Sequence, residues 1–407
     1  MKGKSIDRGL KTIAVSVAIG LGMTACSRDY AVGYLYATNA KANPGLITAY
    51  AISYQTGQLT QLSDSPIPSG GNNTVTIVAS PNGQYLYIVN HDTSDVVEAA
   101  IGTDGKLYPA NTYKVVQGNG LTGTFPVAAA VDAAGKFLFV AFTYQNGFTT
   151  VRPGPGGIAT FPINSNGSLG TALTNTTVGT TTANPLPYVP VGNNPAAIAV
   201  PASGGFVYVV DQESNPGKLL TFTENPTTGV LSVAGPATGV TVGGTPSAVS
   251  TDPKGKFLYV TDSAANLVYT YVLASGIPPA TPTSQATTGV APDAVTIDPR
   301  GKFGYVANFG SGSVSAYTVN STTGALTALP ANATLGVGTG PTCIAIDPGL
   351  GIYLYTSNNI ANSISAAQMN TTTGALIQVQ GTPYSSQTLP TCLVAVANGA
   401  RASQLAQ

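Results

Sequence analysis

The sequence is poor in charge, and it contains no tryptophan, one histidine and three cysteines. Asp, Glu, Lys and Arg make up 8% of its 407 residues, against about 25% in an ordinary soluble protein. Acids and bases balance to a net charge of zero, so the chain has no overall field to attract nucleic acid, and no nucleic-acid partner is expected. It also lacks a phosphate-binding loop, a nucleotide-binding fingerprint and a Ser–His nucleophile motif.

Glycine and proline are abundant instead, with 48 and 29 copies. These residues punctuate chains of many short strands and turns. Apolar residues make up 43% of the chain, which excludes the polar, highly charged composition of disordered proteins. The composition therefore predicts a folded, all-β protein whose solubility comes from uncharged polar groups.

The N-terminus has the pattern of an export signal. A basic segment containing Lys2 and Arg8 precedes an apolar stretch, Thr12 to Ala25, which ends at Cys26. About 14 apolar residues are too few to span a bilayer, which needs about 20. The sequence from Leu21 to Cys26 is similar to a bacterial lipobox, so we predict a signal peptide at residues 1–25 and a lipidated tether at residues 26–32.

Acylation of Cys26 would anchor the protein in a membrane, because stable anchoring takes more than one acyl chain. The residue that follows is Ser27 rather than Asp, which is similar to an outer-membrane sorting signal. We therefore expect an exported protein, anchored in the periplasm or at the cell surface. An ordinary secretory signal with an incidental cysteine is the alternative.

The rest of the chain repeats itself. The segment Pro246–Asp262 recurs as Pro292–Asn308, and further copies start at Pro341 and Pro390, a spacing of 46 to 49 residues. Periods of about 40–50 residues with several strands each are typical of propeller blades. Each copy predicts four antiparallel strands joined by turns, and the copy that starts at Pro126 carries an insertion at about residues 143–194.

The second strand of each repeat contains a recurring aromatic residue, so the number of these residues gives the number of blades. Seven such residues predict a seven-bladed β-propeller over residues 33–398, followed by a tail at 399–407. They are Tyr36, Tyr87, Phe139, Tyr208, Tyr259, Tyr305 and Tyr355.

The first and last copies are both incomplete. The copy that begins at Gly33 lacks its inner strand, and the segment Pro390–Val396 is an inner strand with nothing after it. Joined, the two make one blade, so we predict that the C-terminal strand closes the ring by pairing with the N-terminal strands. A closed ring leaves only short, protected sheet edges.

The repeats resemble a known family. Strings such as Leu258-Tyr-Val-Thr-Asp262 and Tyr305-Val-Ala-Asn308 are similar to those of YVTN-type propellers. Gly255-Lys-Phe-Leu-Tyr-Val260 and Thr322-Thr-Gly-Ala-Leu326 resemble the lactonase family, which includes bacterial 6-phosphogluconolactonase. The resemblance covers about residues 33–398 and implies the fold, but its strings are structural and do not determine an activity.

Most repeated polar residues have a structural interpretation. Asp252, Asp298 and Asp347 precede a proline in the turn after the first strand, where such side chains cap turns. Polar residues also follow the second strand in six blades. If these positions lie near the central channel, they could line a polar funnel at its face: Asn39, Asn90, Asp211, Asp262, Asn308 and Asn358.

Function is expected where the repeat is broken, and three residues in loops after second strands qualify. His91 is the only histidine, Arg152 lies in the blade-three insertion, and Glu213 is one of three glutamates. Equivalent loops of successive blades open on one face of a propeller. On such a face an acid or imidazole could activate water, and a guanidinium could hold a carboxylate or oxyanion.

The chain departs from the lactonase family at two places. The family carries a Glu directly after the second-strand Asn of a middle blade, whereas Glu213 here is one position out of register. The family's Gly-Pro-Arg-His-like string corresponds to Asn193-Asn-Pro-Ala196, which has no charge. A phosphorylated substrate is disfavoured because few cations are present to neutralise it.

Two functions therefore remain open. One is a non-catalytic propeller that binds a ligand or a protein partner at its channel face. The other is a secreted hydrolase of a neutral sugar lactone, which uses His91, Arg152 and Glu213. We expect a monomer with no cofactor, with calcium held by Asp92 and Asp95 as an open alternative. With Cys26 acylated, one histidine and two cysteines cannot supply a zinc site.

Cys343 and Cys392 occupy matching positions on neighbouring inner strands, in Pro-Thr-Cys strings. Rotationally equivalent side chains point the same way around a ring, whereas a disulfide needs converging Cβ vectors. We therefore expect two buried free thiols.

Overall fold

The computed structural model describes residues 30–116, 121–145, 147–152, 154–173, 186–212, 216–331 and 333–399. The chain divides into two units, residues 1–30 and 31–407, and every strand below belongs to the second. The segments predicted as the signal peptide and most of the tether and tail lie outside the described residues. In the part of the chain that is described, no helix is long and apolar enough to cross a membrane.

Seven antiparallel sheets form the blades. Each has four strands, which follow one another along the chain in six of the blades, and in four blades a short fifth strand pairs with the third. The strands of the first three blades are β1 (Ala31–Asn39), β2 (Leu46–Ser53), β3 (Leu59–Gln61), β4 (Ile67–Pro68), β5 (Thr74–Ala79), β6 (Tyr85–Asn90), β7 (Asp95–Ile101), β8 (Leu107–Lys114), β9 (Gly123–Val131), β10 (Phe137–Gln145), β11 (Gly157–Pro162) and β12 (Val189–Pro190).

The remaining blades follow the same order, and the last strand of the chain returns to the first blade. These strands are β13 (Pro195–Ala199), β14 (Phe206–Asp211), β15 (Gly217–Glu224), β16 (Leu231–Ala234), β17 (Val240–Val242), β18 (Pro246–Thr251), β19 (Phe257–Asp262), β20 (Leu267–Val272), β21 (Ser284–Thr287), β22 (Pro292–Ile297), β23 (Phe303–Asn308), β24 (Ser313–Val319), β25 (Leu326–Ala328), β26 (Thr334–Gly336), β27 (Pro341–Ile346), β28 (Tyr353–Asn358), β29 (Ser363–Met369), β30 (Leu376–Gln378), β31 (Tyr384–Ser385) and β32 (Pro390–Ala397).

The ring closes as predicted. Strand β32 pairs antiparallel with β1, in a register that joins Gly33 to Ala397 and Tyr36 to Val394. The seven inner strands are β32, β5, β9, β13, β18, β22 and β27. The first strand begins at Ala31, two residues before the predicted boundary, because Val32 is only 2% exposed and packs into the core between the last and first blades.

The seven second-strand aromatics are all fully buried. In six of them the ring is a tyrosine, and its hydroxyl donates a hydrogen bond to the backbone carbonyl of a glycine in the next blade. Burial raises the pKa of these hydroxyls, so they stay protonated donors. The bonds, 2.7 to 3.0 Å long, are Tyr36 to Gly105, Tyr87 to Gly167, Tyr208 to Gly276, Tyr259 to Gly324, Tyr305 to Gly374 and Tyr355 to Gly57.

Each accepting glycine lies in the turn between the third and fourth strands and has a positive φ, such as +70° at Gly324. A Cβ at Gly324 would lie 2.5 Å from the ring of Phe257, which begins the second strand of the preceding blade. Glycine is therefore required twice, by the turn and by the close approach of the ring. Blade 3 lacks the hydrogen bond, because Phe139 has no hydroxyl to offer its partner Gly229.

The predicted turn caps are confirmed. Asp298 is 2% exposed, and its Oδ1 accepts hydrogen bonds from the backbone N–H groups of Lys302 (2.6 Å) and Phe303 (2.8 Å). Asp252 and Asp347 accept equivalent backbone bonds in blades 5 and 7. These carboxylates hold the turn between the first two strands and are not free for ligands.

The expectation of free thiols is wrong, since Cys343 and Cys392 form a disulfide with a Cα–Cα distance of 5.0 Å. Both residues are half-buried rather than buried. Adjacent inner strands approach so closely at this position that side chains in matching places reach each other. The backbone N–H of Leu393 lies 3.4 Å from the sulfur of Cys343. The bridge joins blade 7 to the closing strand.

Glu224 breaks the repeat at the end of the third strand. Its backbone N–H bonds to the carbonyl of Gly205, as that of Val319 bonds to Lys302 and that of Met369 to Ile352. Other blades thus place an apolar side chain where Glu224 lies 7% exposed, with its Oε1 lacking a hydrogen-bond partner. Burial, with the nearby charge of Asp132, raises the pKa of Glu224 to about 7.

Removing a single inter-blade bond should measure its contribution. Tyr305→Phe leaves the carbonyl of Gly374 unpaired and should lower the free energy of unfolding by about 1–2 kcal/mol. Phe139→Tyr supplies the missing donor in blade 3 and should raise it by up to about 1 kcal/mol. Urea denaturation checks both, with the exposed Tyr108→Phe as a matched control. Equal stability of Tyr305→Phe and Tyr108→Phe would contradict this role.

Glu224 should make stability fall as pH rises. Because its folded pKa of about 7 exceeds the ordinary 4.5, the native state binds the proton more tightly, and this contribution is lost as the pH rises through 7. Glu224→Met should therefore gain stability over the natural chain by about 2–3 kcal/mol at pH 8 compared with pH 5. Urea unfolding at both pH values measures the difference, and a difference that does not change with pH would exclude Glu224 as its cause.

Candidate functional site

One face of the propeller carries the starts of the inner strands and the ends of the second strands. At this face, here called the channel mouth, the residue after the second strand bonds in six blades to the residue before the inner strand. The backbone N–H of His91 bonds to the carbonyl of Asn73 (2.9 Å), and that of Phe309 to Ala291 (2.8 Å). These pairs form the rim of the mouth, and their side chains are the ones that a ligand entering the channel would meet.

The six polar residues at the ends of second strands do not line an open funnel, because they are 0–4% exposed. Asn90 accepts hydrogen bonds from Ser69 and Thr74 and donates one to Asp95. Asp262 accepts backbone N–H bonds from Gly244, Thr245, Ala264 and Ala265. Asn39, Asp211, Asn308 and Asn358 likewise hold neighbouring loop segments. Their role is to fix the rim.

His91 lies at the rim of blade 2, and its Nδ1 is 2.6 Å from Oδ1 of Asp92. An ionised carboxylate can only accept, so Nδ1 carries the hydrogen and Nε2 is left as the basic nitrogen. Burial raises the pKa of Asp92, but hydrogen bonds from His91 and Asn73 outweigh it, and the net pKa is lowered. Asp92 therefore stays ionised and orients the imidazole.

An aromatic ledge extends from His91 across the rim to blade 3. The imidazole stacks on the ring of Phe125 with centroids 4.6 Å apart and planes 8° from parallel. Tyr144 meets Phe125 edge to face at 5.8 Å. Phe125 has φ +59°, an uncommon backbone conformation for a bulky residue. Such strained positions cluster at functional sites.

Two of the three predicted catalytic residues, His91 and Arg152, lie in the described part of the chain, and no contact joins them. Arg152 is exposed, and its guanidinium lies 5.7 Å from the centroid of the Phe148 ring within its own loop. In the part of the chain that is described, no hydrogen bond or ion pair joins Arg152 to His91. Glu213 lies outside the described residues. Their joint catalytic role stays a prediction.

The two acids considered for calcium have separate partners. Asp95 is 4% exposed and bonds to Asn90, Thr93 and Lys114, the last at 3.1 Å. Asp92 bonds to His91 instead. Among the described residues no group of three or more His, Cys, Asp or Glu side chains could hold a metal ion. Calcium at this position stays a hypothesis without added support.

Sequence reasoning does not find the partners of His91. It offers Asp92 as a metal ligand, and it does not point to Phe125 or Tyr144 at all. No sequence pattern joins Phe125 to His91, which are 34 positions apart along the chain. The sequence does offer one indication of the His91–Asp92 hydrogen bond, because the two residues are adjacent in the chain.

The fold and the rim define a seven-bladed β-propeller with an aromatic and polar channel mouth. The sequence matches the family described as Lactonase, 7-bladed beta-propeller, over residues 27–124 and 171–392, and the chain belongs to this family. No match is found among curated proteins. The ledge residues Phe125 and Tyr144 lie between the two matched ranges.

Solved structures share the fold at low sequence identity. A candidate 6-phosphogluconolactonase from Bacteroides fragilis is 20% identical with a TM-score of 0.68, covering 91% of this chain and 99% of its own. One from Bacteroides uniformis is 19% identical with a TM-score of 0.69, covering 90% and 100%. The periplasmic gluconolactonase of Pseudomonas aeruginosa is 16% identical with a TM-score of 0.66, covering 90% and 99%.

Proposed function

We propose that this protein is an exported propeller that binds a small neutral sugar lactone, or a ring of similar chemistry, at its channel mouth. The observation that carries the proposal is the ledge of His91, Phe125 and Tyr144. Aromatic faces give a large, rigid contact area, and the edges of His and Tyr add polar groups. Ligand sites commonly combine such apolar surface with a few polar groups.

A neutral ligand fits the charges around the ledge. The carboxylate of Asp92 is the charged group in direct contact with His91, and Arg152 is engaged with Phe148 in its own loop. A phosphorylated sugar would need Arg or Lys side chains within hydrogen-bond distance. The family match and the gluconolactonase from Pseudomonas aeruginosa support a lactone as the neutral ring.

Hydrolysis of that lactone is the second candidate, favoured by the His91–Asp92 hydrogen bond. Nε2 of His91 would take a proton from water as the water oxygen bonds to the lactone carbonyl carbon. The tetrahedral intermediate would then expel the ring oxygen, which takes the proton back from the imidazolium and yields a hydroxy acid. Asp92 would orient the imidazole and stabilise its charged form.

One experiment with two readouts tests both candidates. Calorimetry with gluconolactam, a ring that does not hydrolyse, should detect binding to the folded domain, and Phe125→Ala should weaken it about tenfold. A pH-stat assay with gluconolactone should show turnover above the spontaneous rate if the protein is a hydrolase. His91→Gln should abolish that turnover, and Asp92→Asn should lower it by about tenfold or more.

The exposed Tyr108→Ala, on an outer strand, is the matched control for loss of an aromatic ring. Gluconolactam binding that Phe125→Ala leaves intact would refute the ledge as the binding site. Turnover that survives His91→Gln would refute the role of His91 as the general base. Binding without turnover in the natural chain would leave a binding protein and remove the hydrolase.

Export and anchoring through Cys26 complete the proposal. The lipobox-like sequence before Cys26 supports acylation. Cys26→Ser, expressed in a bacterial host, should move the protein from the membrane fraction to the soluble periplasmic fraction, because the anchor is lost. Mass spectrometry of the natural chain should detect the acyl groups on its N-terminal peptide. A membrane-bound Cys26→Ser variant would rule out this anchor.

A further inference from the structure

The seven inner strands contain a single acid. The seven inner strands are built from Ala, Val, Ile, Leu, Ser, Thr, Pro, Gly, one Phe and the two bridged cysteines, with one exception. That exception is Asp293, the second residue of β22. The other residues of these strands are small, apolar or uncharged, so Asp293 is a departure from the repeat that calls for an explanation.

Asp293 occupies a position that is defined in every blade. Each inner strand carries a β-bulge, near its start in six blades and in the middle of β9, and bulges re-aim side chains. The seven residues at this position are all half-buried and form a ring around the channel. They are Val75, Val127, Ala196, Ser247, Asp293, Thr342 and Thr391.

The hydroxyls of this ring link neighbouring inner strands. Ser247 donates to the carbonyl of Pro292 (2.6 Å), which joins blade 5 to blade 6. Thr342 donates to the carbonyl of Thr391, and Thr391 to that of Thr74, both at 2.7 Å. Each hydroxyl has used its one hydrogen, and each oxygen also lies 2.8–3.1 Å from a hydroxyl of the adjacent second strand, on Thr261, Ser357 or Thr38. Each oxygen can therefore offer a further ligand one remaining lone pair and no hydrogen.

Asp293 interrupts these links between blades 6 and 7. Where Ser247 and Thr342 supply a hydrogen, an ionised carboxylate has none to give. Asp293 accepts no hydrogen bond from any described residue. Burial raises its pKa to about 6, so at neutral pH it is mostly ionised. Half of the ring, from Ser247 to Thr391, therefore presents an ionised carboxylate and hydroxyl oxygens whose own hydrogens are already used.

The other half of the ring is apolar, since blades 2, 3 and 4 contribute Val75, Val127 and Ala196. A metal ion would gain no oxygen ligands from that half, although calcium takes about six to eight. A neutral hydroxyl would leave the carboxylate charge uncompensated. An ammonium group has three N–H donors and a positive charge, and a short alkyl chain attached to it matches the apolar half.

We propose that the channel binds a primary alkylammonium group, with Asp293 as its counter-ion and the Ser247, Thr342 and Thr391 hydroxyls as further acceptors. The occupant is a small amine or a lysine side chain of a peptide. This site is independent of the proposed lactone site, since no ledge residue takes part.

Butylamine is the probe, titrated into the folded domain by calorimetry or NMR at pH 7. Butanol tests the need for charge, tetramethylammonium the need for N–H donors, and calcium chloride a metal site. Asp293→Asn should weaken butylamine binding at least tenfold, and Asp293→Ser, which restores the hydroxyl of the repeat, should do the same. Asp104→Asn, which removes an exposed acid from an outer turn of blade 2, is the matched control and should bind as the natural chain does.

The affinity for butylamine should rise about tenfold between pH 5 and pH 7, because the ionised fraction of a group with a pKa of about 6 rises by that factor. Asp132 and the other turn acids lie at the far ends of the inner strands and do not face this ring. Absence of butylamine binding, equal binding by butanol or by folded Asp293→Asn, or calcium binding that depends on Asp293 would each overturn the proposal.

Discussion

The hydrogen bond from a buried tyrosine hydroxyl to a turn glycine of the next blade is the contact on which this propeller depends. A four-stranded blade cannot bury both of its faces, so stability comes from the interfaces between blades. Six such bonds join successive blades, including blade 7 to blade 1. Each one places a donor in a site that water cannot reach, where an unpaired carbonyl is costly. Together with the pairing of β32 with β1, they make closure of the ring a property of the whole chain.

The interface between blades 3 and 4 departs from this scheme. Phe139 has no hydroxyl, and Glu224 replaces an apolar side chain nearby in blade 4. Blade 3 also carries the insertion and lies mostly outside the family match, which stops at residue 124 and resumes at 171. Departures from the repeat therefore accumulate on one side of the ring, the side that holds Phe125 and Tyr144. A propeller can tolerate such local change because each blade contacts only its neighbours.

The repeat made the fold predictable, because a period of 46 to 49 residues indicates propeller blades and seven second-strand aromatics give the number of blades. Local chemistry also identified the turn caps, since Asp298 acts on its own turn. Predictions failed where the outcome depended on distances between blades. The free-thiol expectation for Cys343 misjudged how closely inner strands approach at the axis. The six polar residues do not line an open funnel, because they are buried and bond to neighbouring loop and strand residues, as Asn90 does to the side chains of Ser69, Thr74 and Asp95. The stacking of His91 on Phe125 depends on a backbone conformation that no pattern reveals.

Scarcity of charge changes what each remaining charge means. In a chain with 8% charged residues, most acids have a visible structural role, since Asp298 caps a turn, Asp262 holds a loop, and Glu98 accepts three hydrogen bonds. Asp293 has no such role. A half-buried carboxylate that accepts no hydrogen bond from the described part of the chain raises the free energy of the fold, and the blade repeat offers serine and threonine as neutral replacements at the same position. Binding of a ligand therefore explains the presence of Asp293 better than a structural role does.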